Sequence, residues 1–223
     1  MKYNNIFLTL GVMFILVACS PPVVFTEPQP DVVSEESQFT PAYQGMYFCT
    51  GDSSIVRVSP TTIWKERLLQ LNTTLEDIEE TDGVYLDGDI LYIEETNTPV
   101  KIEYLDEQRI TGELLLSDTL FQIGNKQVLK EYRGHQILST KMSNRNWAVQ
   151  ILSKDDEGNL SLWTTKLPED LESLEMITPV EDISTEDTKR YRISPNIAEF
   201  RKLMESKLIF EACDYFEKID ESI

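Results

Sequence analysis

Histidine is almost missing from this chain of 223 residues, and most of the catalytic chemistry that a sequence can announce is missing with it. The single imidazole, His135, follows Gly134 at an expected strand start, and no Gly-x-Ser-x-Gly elbow accompanies it. A Ser/His/Asp triad or a Cys49/His135 pair therefore finds no frame, and a structural or surface histidine is the expectation. His-Glu-x-x-His, paired Cys-x-x-Cys, phosphate-loop and dinucleotide glycine patterns are absent as well. Zinc, haem, nucleotide and thiol-redox enzymes lose the residue sets they depend on, so no metal site and no cofactor are expected. Cations are scarce: 20 Lys and Arg stand against 39 Asp and Glu, a net charge of −19. Such a surface repels phosphate backbones and anionic headgroups, which excludes nucleic acid as a partner. No apolar run reaches the roughly 20 residues a membrane-spanning helix needs.

What is present begins at the N-terminus. Lys2 precedes a run from Ile6 to Ala18 that is almost wholly apolar, and Pro21 and Pro22 prevent a helix from continuing past it. Leu16-Val17-Ala18-Cys19 resembles the lipobox of bacterial lipoproteins, with a small residue before the cleaved bond and a cysteine after it. The resemblance covers only the first 20 or so residues. It implies that residues 1–18 are a signal peptide and that Cys19 carries a diacylglyceryl thioether and usually an N-acyl chain. Two or three chains, at ~0.8 kcal/mol per buried methylene, make membrane attachment durable where one is marginal. Ser20 stands where the family's inner-membrane retention rule places aspartate, which implies a lipid-anchored position in the cell envelope at the outer membrane. Removing residues 1–18 leaves 205 residues with a net charge of −20, so the lipid and not a basic face must hold the protein to its membrane.

Residues 19–41 hold five of the ten prolines, mixed with Glu27, Asp31, Glu35 and Glu36. They read as a linker, able at ~3.1 Å per residue to hold a domain up to ~60 Å from the lipid. The globular domain is expected over 42–223, mainly β and only marginally α+β. Short alternating segments recur there, separated by turn chemistry. Strands are expected near 55–58, 62–65, 84–86, 89–93, 100–105, 109–116, 119–123, 127–132, 135–140, 147–153, 160–166 and 208–219. Asp87-Gly88 marks the clearest hairpin and Ser117-Asp118 another turn. An antiparallel meander sheet or partly open barrel is the economical topology, with the last run, 208–219, closing the sheet. Ser194-Pro195 opens a short C-terminal helix over about 195–206, and Thr74 with Asp77 is placed to cap a shorter one. Tyr43-Gln44-Gly45 and Tyr132-Arg133-Gly134 echo one another, each ahead of a tryptophan, Trp64 and Trp163. Two similar β units, 43–131 and 132–223, stand as an alternative to a single sheet.

With Cys19 assigned to lipid, Cys49 and Cys213 remain, one near each end of the domain. A disulfide joining the first and last strands, worth roughly 4–5 kcal/mol in the chain-entropy model, is one reading. Two separately buried thiols are the other. Asp118-Thr119-Leu120 resembles the Asp-Thr-aliphatic acceptor of a periplasmic O-glycosylation system, making Thr119 a candidate site in an expected turn. Acid pairs are too numerous to single out catalytic residues, and Asp82, Asp87, Asp89 or Asp155, Asp156, Glu157 match no calcium loop. Three function classes stay open. The leading one is a non-catalytic binding or assembly module for an envelope protein or other envelope component. The others are a periplasmic or surface hydrolase using a carboxylate pair, and a small-ligand carrier.

Overall fold

The computed structural model describes residues 21–94 and 98–219. The expected signal peptide, residues 1–18, and Cys19 lie outside the described residues. Strand makes up 52% and helix 12%, so the protein is mainly β. The strands in chain order are β1 Val23–Phe25, β2 Glu35–Glu36, β3 Gly45–Cys49, β4 Ile55–Val58, β5 Thr62–Thr74, β6 Val84–Asp87, β7 Ile90–Ile93 and β8 Thr98–Tyr104. They continue as β9 Arg109–Gln122, β10 Gln127–Tyr132, β11 His135–Ser143, β12 Asn146–Lys154, β13 Leu160–Thr165, β14 Val180–Asp182, β15 Tyr191–Ile193 and β16 Phe210–Ile219. Three short helices accompany them among the described residues: α1 Leu75–Glu79, α2 Leu171–Glu175 and α3 Ile197–Ser206. The pairing is antiparallel except between β1 and β15, and the sheet is not closed.

The chain divides into two compact units, residues 66–117 and residues 20–65 with 118–223. Strands β5 and β9 each belong to both. In the larger unit the central strands are buried on both faces, and period-2 alternation sorts their side chains. Leu138, Leu152, Leu160 and Phe216 point to one side, where Tyr47, Val56, Ile63 and Phe121 complete a core. Ile137, Val149, Ile151 and Phe210 point to the other, against Val23 and Phe25 of β1 and Phe200 and Leu203 of α3. Each such side chain contributes about 1.5–3 kcal/mol by leaving water. Helix α3 begins at Ile197, two residues later than the Ser194-Pro195 signal suggests. Asn196 is the actual cap: its Oδ1 accepts from the Ala198 and Glu199 amides at 2.9 and 3.1 Å, while Glu199 Oε2 accepts from the Asn196 amide at 3.0 Å.

Within the smaller unit, β6 to β9 form an antiparallel series in which Ile102 faces Gly112 and Leu91 faces Val100. One face buries Leu91, Ile93, Val100, Ile102 and Ile110 against Ile78 of α1. Thr74 caps α1 as its spacing to Asp77 anticipates, its Oγ1 accepting from the Asp77 amide at 3.1 Å. The β6–β7 loop is Gly88–Asp89, one residue beyond the expected Asp87-Gly88, because Asp87 pairs with Ile90.

Four expectations are corrected. Residues 21–41 are not a linker: Val23, Val24, Phe25 and Phe39 are buried, and β1 pairs with β12 and β15. Three apolar residues between proline clusters outweigh the surrounding composition once a two-sided slot is open to them. The subunits 43–131 and 132–223 do not exist, since the division falls at 66–117. Tyr132-Arg133-Gly134 is instead a hairpin turn with Tyr132 facing His135, where Arg133 and Gly134 take φ of 53° and 79°; positive φ at both central residues is what a type I′ turn requires. The turn at Ser117-Asp118 is absent because β9 runs through it, so Thr119 lies in a strand, although exposed. Finally, the carboxy-terminal strand does not close the sheet: β16 joins β13 to β3 within an open network.

Candidate functional site

Strand β16 does bring the two domain cysteines onto neighbouring strands, but no bridge forms. Phe216 is the residue opposite Cys49. Cys213 is the extra residue of a bulge, since Leu162 faces Asp214 while Trp163 faces Ala212. Its Sγ is directed to the Leu162 carbonyl at 3.3 Å on the exposed side, whereas Cys49 is fully buried. The thiol of Cys49 is pushed up in pKa by burial, with a further rise from its contact to Asp52. A protonated, enclosed thiol is a poor nucleophile.

The same corner holds a polar cluster. Asp52 Oδ1 accepts from Ser54 Oγ at 2.6 Å, Asp52 Oδ2 lies 3.0 Å from Lys65 Nζ, and Cys49 Sγ lies 3.6 Å from Asp214 Oδ1. Burial raises the Asp52 pKa, but the hydrogen bonds from Ser54, Lys65 and Cys49 outweigh it and hold the carboxyl well below the usual range. An acid held ionised and already saturated with donors locks the β3–β4 turn; it is not a proton donor for glycoside cleavage, which needs a raised pKa. His135 sits beside its hairpin turn with its pKa lowered by burial and then by Arg133, and its Nδ1 has no hydrogen-bond partner among the described residues. Among the described residues no nucleophile is hydrogen-bonded to it.

The interior of the larger unit leaves a cavity of about 20 Å³, lined chiefly by aliphatic side chains and Phe121 and Phe216. That is room for one water and no ligand. An open cleft of about 380 Å³ lies beside β2, lined by Glu35, Glu36 and Ser37 and by the Gly124–Asn125 turn.

The distinctive surface is on residues 66–117. Fourteen Asp and Glu and only three Lys and Arg fall in these 52 residues, a net −11 out of the chain's −19. One of the three cations, Arg109, is tied to Asp106 at 2.6 Å. The sheet face opposite the buried cluster carries Tyr85, Tyr92 and Pro99 side by side across β6, β7 and β8. The two tyrosine rings stack with centroids 5.1 Å apart and planes 13° from parallel. Alternation places Leu68 and Leu115 on that face as well, 57% and 54% exposed. Tyr104 and Leu105 stand exposed at the β8–β9 turn. Five of the eleven exposed large apolar side chains of the described residues thus fall in this one small unit. Sequence reasoning reached the acids and the alternation but gave the unit no boundary, because β9 reads in sequence as two short strands, 109–116 and 119–123, and β5 as one that stops at residue 65. No family model, curated protein or solved structure matches the chain.

Proposed function

We propose that this protein is a lipid-anchored envelope lipoprotein, placed at the outer membrane, that works as a non-catalytic binding or assembly module. Residues 66–117 are its docking element, and the partner presents a basic protein surface with apolar contacts. The observation that carries the reading is the coincidence of the strongest local acidity with the exposed apolar face of the small sheet. Singly scattered surface apolar residues are ordinary, whereas a cluster rimmed by charge of one sign marks an interaction surface. The apolar positions supply contact area and the carboxylates supply orientation and association rate, which salt suppresses.

The test is photo-crosslinking in cells with a photoreactive residue in place of Leu115, compared with one in place of Asn144 in the larger unit. A single adduct from position 115, lost at high salt and lost when Asp87→Lys and Asp89→Lys are combined, is expected. Equal labelling from both positions, or an adduct indifferent to salt and charge reversal, would overturn the assignment.

A further inference from the structure

A lipid on Cys19 would be held close to the larger unit, because the chain is fixed in the fold only a few residues later. Val23 is completely buried and stands level with Tyr191 in the parallel pairing of β1 and β15. The Tyr191 amide donates to the Pro22 carbonyl at 2.9 Å, and Thr165 Oγ1 donates to the Val23 carbonyl at 3.0 Å. The backbone is therefore held from Pro22 onward. Only Ser20, Pro21 and Pro22 separate Cys19 from β1. At no more than ~3.6 Å per residue, Cys19 lies within about 14 Å of Val23.

Resting on the lipoprotein reading, we propose that the loop 183–190 of the larger unit lies against the headgroups of the leaflet that holds the acyl chains of Cys19. In a parallel pair, the residues preceding Tyr191 lie on the side of the residues preceding Val23, which puts Arg190, Lys189 and Thr188 along one side of the tether's exit. Thr188 and Lys189 are exposed. Asp182, Glu186 and Asp187 occupy the same region, so the local charge is mixed and attraction to anionic lipid does not drive the contact. The short covalent tether does, and it makes docking independent of headgroup charge. The opposite end of β1 fixes which side points away. Phe25 pairs with Trp147, and the β11–β12 turn at Asn144 lies beyond it.

The experiment uses the full lipidated protein in phosphatidylcholine vesicles, with Cys213→Ser to leave only buried Cys49 as a native free thiol. A fluorophore is attached at Thr188→Cys or Asn144→Cys, and quenching by headgroup-labelled lipid is compared. Several-fold stronger quenching at 188 is expected, and inserting twenty Gly and Ser residues between Ser20 and Pro21 should abolish the difference. Equal quenching at both sites, or a contrast that survives the insertion, would overturn the inference. Mass spectrometry of the same preparation separates the two claims: an unmodified Cys19 sinks the lipoprotein reading itself, whereas an acylated Cys19 with equal quenching sinks only this one.

Discussion

Replacing Lys130 with methionine should release the amino-terminal segment while leaving the rest of the larger unit folded. Lys130 is 4% exposed, and its Nζ donates to the carbonyls of Pro30 at 2.6 Å, Pro28 at 3.1 Å and Asp31 at 3.5 Å. Next to it, the Gln29 amide donates to Ser139 Oγ at 3.2 Å. These bonds, with β1 and β2, fasten residues that composition alone would leave in solvent. Methionine preserves the apolar stem and removes the ammonium. Three charge-assisted bonds are lost, the two shorter ones worth about 1.5–3 kcal/mol each, while the Pro30 carbonyl keeps the Val33 amide at 3.4 Å. Against this, the ammonium no longer pays its desolvation, which is the principal reason its pKa is lowered. A net loss of about 2 kcal/mol is expected, concentrated in residues 21–41. Limited proteolysis read by mass spectrometry should show cleavage between residues 26 and 38 appearing some thirty-fold faster, with a smaller shift in the urea midpoint of the whole. Cleavage at the native rate would refute the claim that this lysine fastens the segment.

Three further outcomes follow from the packing. Tyr47 donates to the Tyr43 carbonyl at 2.8 Å, and burial pushes the pKa of both tyrosines to about 12; the stability each provides is complete below pH 10 and lost as pH rises from 10 through 12, so the urea midpoint should fall steeply there, by the equivalent of about 2–3 kcal/mol for Tyr47, and Tyr47→Phe should reduce the fall by that share. Gly112→Val should disrupt the smaller unit, because even a β-carbon would sit 2.9 Å from the Lys101 carbonyl and 3.2 Å from Val100 Cγ1; a cost of about 2–3 kcal/mol is expected by hydrogen exchange of β8 and β9, with the amides of β11 and β12 as reference. Thiol titration of the native protein should modify Cys213 and spare Cys49 until denaturant is added, and equal reactivity would contradict the enclosed position of Cys49.

The parts of this fold legible in sequence are those set by local alternation and capping. β7, β10, β12 and β16 announce themselves by period-2 patterns, and Thr74 with Asp77 by cap spacing. What escapes is whatever depends on distant partners. Val23-Val24-Phe25 looks like a chance apolar triplet among prolines; its meaning comes from residues 147 and 191–193, which no local window contains. Ser117-Asp118 has turn composition, yet neighbouring strands supply enough pairing to carry β9 straight through, and two polar residues on an exposed strand cost little. The cysteines show the limit most plainly: sequence placed them on strands that do pair, but a single bulged residue turns Cys213 outward, and a bulge leaves no signature in side-chain type. Of the acidic and apolar face on residues 66–117, the acids were countable from the start, while the stacking of Tyr85 on Tyr92 needed the hairpin register.

The parallel pairing of β1 with β15 also dictates when this protein can finish folding. Tyr191 is 168 residues after Val23, and Thr26 meets Ser194 across the same interval. A growing chain therefore makes its first strand long before it makes that strand's neighbours, and for most of synthesis an apolar triplet near the leading end has nothing to bury against. Closing so large a loop is entropically slow, and native contacts reward it only at the end. A holding chaperone acting on this protein should therefore be needed while Val23 to Phe25 wait for their partners, and released when residues 191–193 arrive.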